Sequence, residues 1–137
     1  MSNDGEGAAE GGCQCGAVRY RLTAVPDRVY CCHCTECRRQ SSSAFGISVI
    51  IAPGAIELTR GTPKEWSRST AGGGTMACAF CPDCGARLWH RGRGFASVKG
   101  GSLDAPPEPT AHIWLGSKMP WVVIPEGVER WEGEPEA

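Results

Sequence analysis

The sequence predicts a predominantly β domain with little helix. Three observations carry this expectation. Apolar and polar residues alternate along several short stretches, Gly (19) and Pro (10) interrupt the chain often, and no long amphipathic helix or internal repeat is present. A chain of 137 residues fits one domain.

The elements follow in order. Residues 1–10 are small, polar and acidic, the composition of a disordered tail. Residues 11–132 form the expected single domain, and 133–137 a short C-terminal tail. From Gly12 onwards Val18, Tyr20 and Leu22 fall on one face of a strand, with Arg19, Arg21 and Thr23 on the other. Val29–Cys32 reads as a second strand, Thr35–Ser42 as one or two helical turns, and Phe45–Ala52 as a buried strand. Ile56–Thr59 and Glu65–Ser67 are strands either side of a Gly61-Thr62-Pro63 turn, and Ala71–Gly74 is a loop. Ala86–His90, Phe95–Val98 and Ala111–Leu115 complete the series, with Pro106, Pro107 and Pro109 breaking the chain before the last. Arg91 to Gly94 has the composition of an exposed hairpin tip.

Charge and cysteine usage narrow the classes of function. A formal net charge of −1 gives no field suited to nucleic acid. No stretch approaches the roughly 18 apolar residues of a membrane span. Nine cysteines, an odd number, follow a start with neither a basic nor an apolar leader region. A reducing, cytoplasmic location is therefore expected, where clustered cysteines serve metals or redox chemistry more often than disulfides.

Seven of the nine cysteines fall into three clusters: Cys13 and Cys15, then Cys32, Cys34 and Cys37, then Cys81 and Cys84. In extended chain, residues two apart point to the same side, so Cys13 and Cys15 can grip one ion. In a C-x-x-C turn the sulfurs converge at tetrahedral zinc spacing. Gly16 and Gly85 directly follow their pairs, where a tight knuckle calls for a residue without Cβ. Pairing Cys13 and Cys15 with Cys81 and Cys84 gives a closed site, which is structural in character. Cys32, Cys34 and Cys37 offer three ligands from six residues and leave a fourth position open, as at catalytic zinc. The same triad could instead be closed by Cys31, Cys78 or His33. His33 lies between two ligands and is expected to face away. Cys31 and Cys78 read as small core residues, with Cys78 also a candidate extra ligand or redox thiol.

The motifs CQCGAV (Cys13–Val18), CHCTECRR (Cys32–Arg39), FCPDCG (Phe80–Gly85), GSLDAP (Gly101–Pro106) and AHIW (Ala111–Trp114), with Lys118 and Trp121, occur in order along the chain. In these the sequence resembles the glutathione-dependent formaldehyde-activating enzymes, a family that also includes centromere protein V. The resemblance implies a zinc-binding β-tent fold of short antiparallel strands and two zinc ions per chain. It implies a structural zinc on Cys13, Cys15, Cys81 and Cys84, and a catalytic zinc on Cys32, Cys34 and Cys37. It further implies carbon–sulfur lyase chemistry on an S-hydroxymethylglutathione-like adduct. Two departures stand out. The family often has a glycine soon after the C-R-R segment, where this chain has Ser41-Ser42-Ser43, and a basic residue where it has Cys78.

Three thiolates leave a divalent ion at −1, which weakens its power to make hydroxide and favours capture of a substrate thiol. The expected partner is a small thiol such as glutathione, with no nucleic acid and no membrane. Arg19, Arg38, Arg39 and Lys99 are candidates to receive its carboxylates, or else solvated surface charges. Asp104 could orient a water at the metal or cap a turn. The tryptophans at 66, 89, 114, 121 and 131 read as core or rim. Two further classes of function remain open on the sequence: a zinc-stabilised binding module without chemistry, and a redox enzyme resembling methionine sulfoxide reductase B.

Overall fold

The alternation between Val18 and Leu22 becomes strand because every second side chain finds apolar cover: Val18, Tyr20 and Leu22 are all at most 1% exposed. The computed structural model describes residues 9–70 and 72–135. In chain order the strands are β1 (Glu10–Gly12), β2 (Arg19–Leu22), β3 (Arg28–Cys32), β4 (Gly46–Ile51), β5 (Ile56–Arg60), β6 (Lys64–Ser69) and β7 (Thr75–Phe80). They continue as β8 (Arg87–Gly92), β9 (Phe95–Lys99), β10 (Ala111–Ile113) and β11 (Glu129–Arg130). One helix, α1 (Thr35–Ser41), lies between β3 and β4, and two short 3-10 turns follow β9 and β10.

Two sheets result. The smaller runs β1-β2-β5, and the larger runs β11-β10-β3-β4-β9-β8-β7-β6. Every pairing is antiparallel except those of β10 with β3 and with β11, which are parallel. The fold is mainly β, as the sequence predicts. Tyr20 on the small sheet meets Trp89 on the large one edge-on, with ring centroids 5.4 Å apart. Leu22, Val49, Ile51, Leu88 and Val98 fill the space around that pair. Burying each such side chain contributes about 1.5–3 kcal/mol, so this cluster fixes how the sheets face each other.

Three strands go beyond the sequence expectation: β1, β7 and β11. Residues 1–8 of the expected N-terminal tail lie outside the described residues, and Glu10 opens β1. Ala71, in the expected 71–74 loop, also lies outside them, as do residues 136 and 137 of the expected C-terminal tail. Gly133 and Glu134 pack against Trp114, whose backbone N–H and indole Nε1–H donate to Gly133 O and Glu134 Oε2. The expected strand at Ala111–Leu115 stops at Ile113 because Trp114 turns left-handed, at φ 60°. No helix among the described residues is long and apolar enough to cross a membrane.

Candidate metal centres

The topology brings two hairpin turns together. Cys13 and Cys15 lie in the turn from β1 to β2, and Cys81 and Cys84 in the turn from β7 to β8. Their four sulfurs all lie within 4.8 Å of one another. The Cys13–Cys15 and Cys15–Cys81 sulfur separations are 3.7 and 3.8 Å. A tetrahedron with zinc–sulfur bonds of about 2.3 Å has edges of about 3.8 Å, so the spacing suits one ion. Gly16 and Gly85 adopt φ +83° and +82° with open space where a Cβ would sit, so it is the backbone angle that calls for glycine.

Backbone N–H groups point at these sulfurs. Val18 N–H donates to Cys13 Sγ at 3.2 Å, and Asp83 N–H donates to Cys81 Sγ at 3.3 Å. Such donors favour thiolate over thiol. Cys84 is accordingly lowered to about 6, first by hydrogen bonding from the backbone at Ala86. At Cys15 the backbone at Ala17 also favours the thiolate, but burial and the sulfurs of Cys13, Cys81 and Cys84 outweigh it and push the thiol up to about 12. Sulfurs this close cannot all ionise without a cation among them, and a soft divalent metal supplies one. All nine cysteines are unbridged.

The second cluster is built from one strand end and one helix start. Cys32 closes β3, Cys34 is the N-cap of α1, and Cys37 lies in its first turn. Cys37 N–H donates to Cys34 Sγ at 3.4 Å, so the sulfur stands where a serine or aspartate oxygen commonly caps a helix. The three sulfurs also lie within 4.8 Å of one another. Hydrogen bonds from Cys32 and Cys37 hold Cys34 down to about 2, while contacts with Cys34 and Cys37 push Cys32 far above the ordinary thiol value.

No fourth His, Cys, Asp or Glu among the described residues joins this triad. His33 is fully buried and turns away, its Nε2 2.9 Å from His112 Nδ1. Cys31 and Cys78 are 3% and 0% exposed and belong to neither cluster. Burial raises the Cys31 thiol to about 11, which makes it a poor nucleophile at neutral pH. Cys32 and Cys37 line a cavity of about 310 Å³ with Ser48, Ser97, His90 and Lys99. Lys99 also borders a larger cleft of about 790 Å³ that runs past Gln40, Phe45 and Arg87.

The surroundings correct several expectations. Lys99 is no surface charge: it is 9% exposed, and burial draws its ammonium pKa down. Asp104 is engaged by a neighbouring cation. Its carboxylate accepts two hydrogen bonds from Arg19, at 3.1 and 2.6 Å, which also commits Arg19. Trp89 is core, whereas Trp66 and Trp121 are 51% and 71% exposed. Sequence reasoning missed His90 and His112; a histidine on an alternating strand beside a cysteine-rich one was the available signal. Of the expected Arg91–Gly94 tip, Arg93 and Gly94 are exposed, whereas Arg91 and Gly92 end β8 half-buried.

The glutathione-dependent formaldehyde-activating enzyme family matches residues 8–117, a span that holds all seven clustered cysteines. The chain belongs to this family. A Halomonas elongata protein, provisionally named a glutathione-dependent formaldehyde-activating enzyme, is 32% identical over 130 residues, covering 84% of this chain and 80% of that one. The fold resembles the crystal structure of a Rhodobacter sphaeroides protein from structural genomics. That match has a TM-score of 0.58 at 21% identity and covers 89% of this chain and 98% of that one. Family membership and two cysteine clusters able to hold metal thus stand together.

Proposed function

We propose that this family member is a zinc-dependent enzyme of carbon–sulfur lyase type, acting on a small thiol–aldehyde adduct of the S-hydroxymethylglutathione kind. The observation that carries the reading is the contrast between the clusters. One offers four sulfurs, a complete tetrahedral ligand set; the other offers three, one short of it, and lines a cavity. In this reading Cys13, Cys15, Cys81 and Cys84 hold a structural zinc that ties the β1–β2 turn to the β7–β8 turn. Cys32, Cys34 and Cys37 hold the catalytic zinc.

Bound at the triad, zinc supplies a centre that favours the thiolate form of an incoming thiol. The chain's residues do the rest. The β3–α1 junction presents the three sulfurs to one side, and the His33–His112 hydrogen bond keeps the intervening histidine out of that side. The 310 Å³ cavity confines the reacting sulfur and carbonyl carbon to one small volume, which favours their encounter. The adjoining cleft has room for the body of a glutathione-sized thiol. Cys78 and Cys31 take no part. A reducing compartment such as the cytoplasm is the setting this reading requires, since free thiols persist there.

The test is turnover of a glutathione–formaldehyde mixture by zinc-loaded protein. Cys34→Ala should abolish it while the circular dichroism spectrum and the structural metal persist. Turnover at the wild-type level in that variant would sink the reading.

A further inference from the structure

We propose that Lys99 makes the open position of the three-cysteine centre select a thiolate over a neutral ligand. This rests on the reading of Cys32, Cys34 and Cys37 as a metal centre. Three thiolates around a divalent ion carry −1. A thiol that binds as R–S⁻ forms the new metal–sulfur bond with a sulfur lone pair and releases its proton to water through the cleft. The complex then carries −2. A neutral donor such as imidazole leaves it at −1. A second negative charge in a poorly solvated site is costly unless a cation stands close.

Lys99 is that cation. It ends β9, paired across to Ser48 on β4, and lines the same cavity as Cys32 and Cys37. No carboxylate among the described residues pairs with it: the ion pairs join Arg19 to Glu10 and Asp104, and Arg21 to Glu57. The other charged groups lining the cavity are Arg68 and Glu134. Arg68 donates to Ser69 O at 3.5 Å, and Glu134 accepts from the Trp114 indole. Arg87, at the cleft, donates to His90 Nε2 at 2.8 Å. Ser97 lines the cavity too, and its buried hydroxyl has no partner among the described residues. A buried, unpaired ammonium beside the triad's sulfurs and a free hydroxyl is a site prepared for an anion. A sulfur anion is the one that the triad itself would bind.

The experiment uses the full chain loaded with cobalt(II), whose visible absorption reports on the ligands at the open position. Protein is titrated separately with 2-mercaptoethanol and with imidazole. Neither probe has a carboxylate, so any effect of Lys99 acts on the metal-bound group itself. In Lys99→Met, with two metals retained, thiol affinity should fall roughly 10- to 100-fold relative to imidazole affinity, the range for one charge several ångströms away at intermediate dielectric. Lys99→Arg, which keeps the charge, should hold the wild-type ratio within about threefold. If Lys99→Met loses the second metal, Lys99→Gln is read in its place. An unchanged ratio in the neutral variants, or an equal collapse in Lys99→Arg, would overturn the proposal and leave the enzyme reading standing. Failure of wild-type protein to bind 2-mercaptoethanol at all would instead overturn the enzyme reading.

Discussion

Gly61 offers a sharp test of how the closed cluster is supported. It lies in the turn after β5, at φ +76°, and a Cβ added there would sit 2.0 Å from the carbonyl oxygen of Ala17. Real Cβ contacts essentially never fall below 3.0 Å, so Gly61→Ala must move backbone by about 1 Å. The left-handed angle costs an alanine about 1–2 kcal/mol, and overpacking adds about 1–3 kcal/mol. The expected loss is therefore roughly 2–5 kcal/mol. The strain falls on the segment that ends the cysteine turn. Ala17 precedes Val18, whose N–H donates to Cys13 Sγ and whose carbonyl accepts from Cys13 N–H. Metal affinity at the four-cysteine cluster should fall with stability, while the three-cysteine cluster is spared. Urea unfolding in a zinc buffer, alongside competition with a chromogenic chelator, measures both. Gly54→Ala is the control: its Cβ would meet nothing within 4 Å and its φ is not positive, so stability should change by no more than about 1 kcal/mol. A Gly61→Ala stability within about 0.5 kcal/mol of wild type would mean that Gly61 and Ala17 do not approach so closely.

Further predictions concern the helix, a buried histidine and the metals. Ser42, at φ 53°, ends α1 in the conformation glycine adopts most readily, so Ser42→Gly should stabilise the protein by about 0.5–1 kcal/mol in thermal or urea unfolding. A loss of stability would refute this reading of the helix end. His90 is 3% exposed and held neutral down to about 2, first by burial and then by Lys99 and Arg87. The unfolded chain takes up that proton near pH 6.5, so the folded state loses stability as pH falls below it, by about 2 kcal/mol between pH 7 and pH 5. The stability difference between wild type and His90→Gln should shift by that amount in favour of the variant at pH 5; an equal difference at both values would refute it. Stripping metal with a chelator should lower the melting temperature, because the four sulfurs join turns from both sheets. An unchanged transition would mean that the core alone holds the sheets together.

Much of the cysteine clustering was legible because sequence spacing limits which side chains can converge. C-x-C and C-x-x-C each determine which side chains can converge, and glycines at 16 and 85 mark the knuckles in the sequence itself. The long-range grouping of Cys13 and Cys15 with Cys81 and Cys84 was carried by the family resemblance, in agreement with the fact that two such pairs complete a tetrahedron. What escaped was set by tertiary context. β1 is three residues, two of them glycine, and carries no side-chain pattern; it forms because Gly11 packs against the Tyr20 ring and β2 offers an edge. β7 follows a glycine run that reads as loop, yet it lies between β6 and β8, with Cys78 and Ala79 both fully buried rather than alternating. β11 is two residues held against β10. Lys99 looked like an ordinary surface lysine because its burial comes from strands and cysteines distant in sequence.

The claim at the centre of this account is that the chain holds two separable metal ions, one closed by four cysteines and one held by three. Metal content per chain, measured by elemental analysis of protein purified without chelator, tests it most directly. Wild type should carry two zinc ions, Cys34→Ala one, with the fold retained. One zinc in both proteins would contradict the account, since the three-cysteine cluster would then hold no metal to do chemistry with.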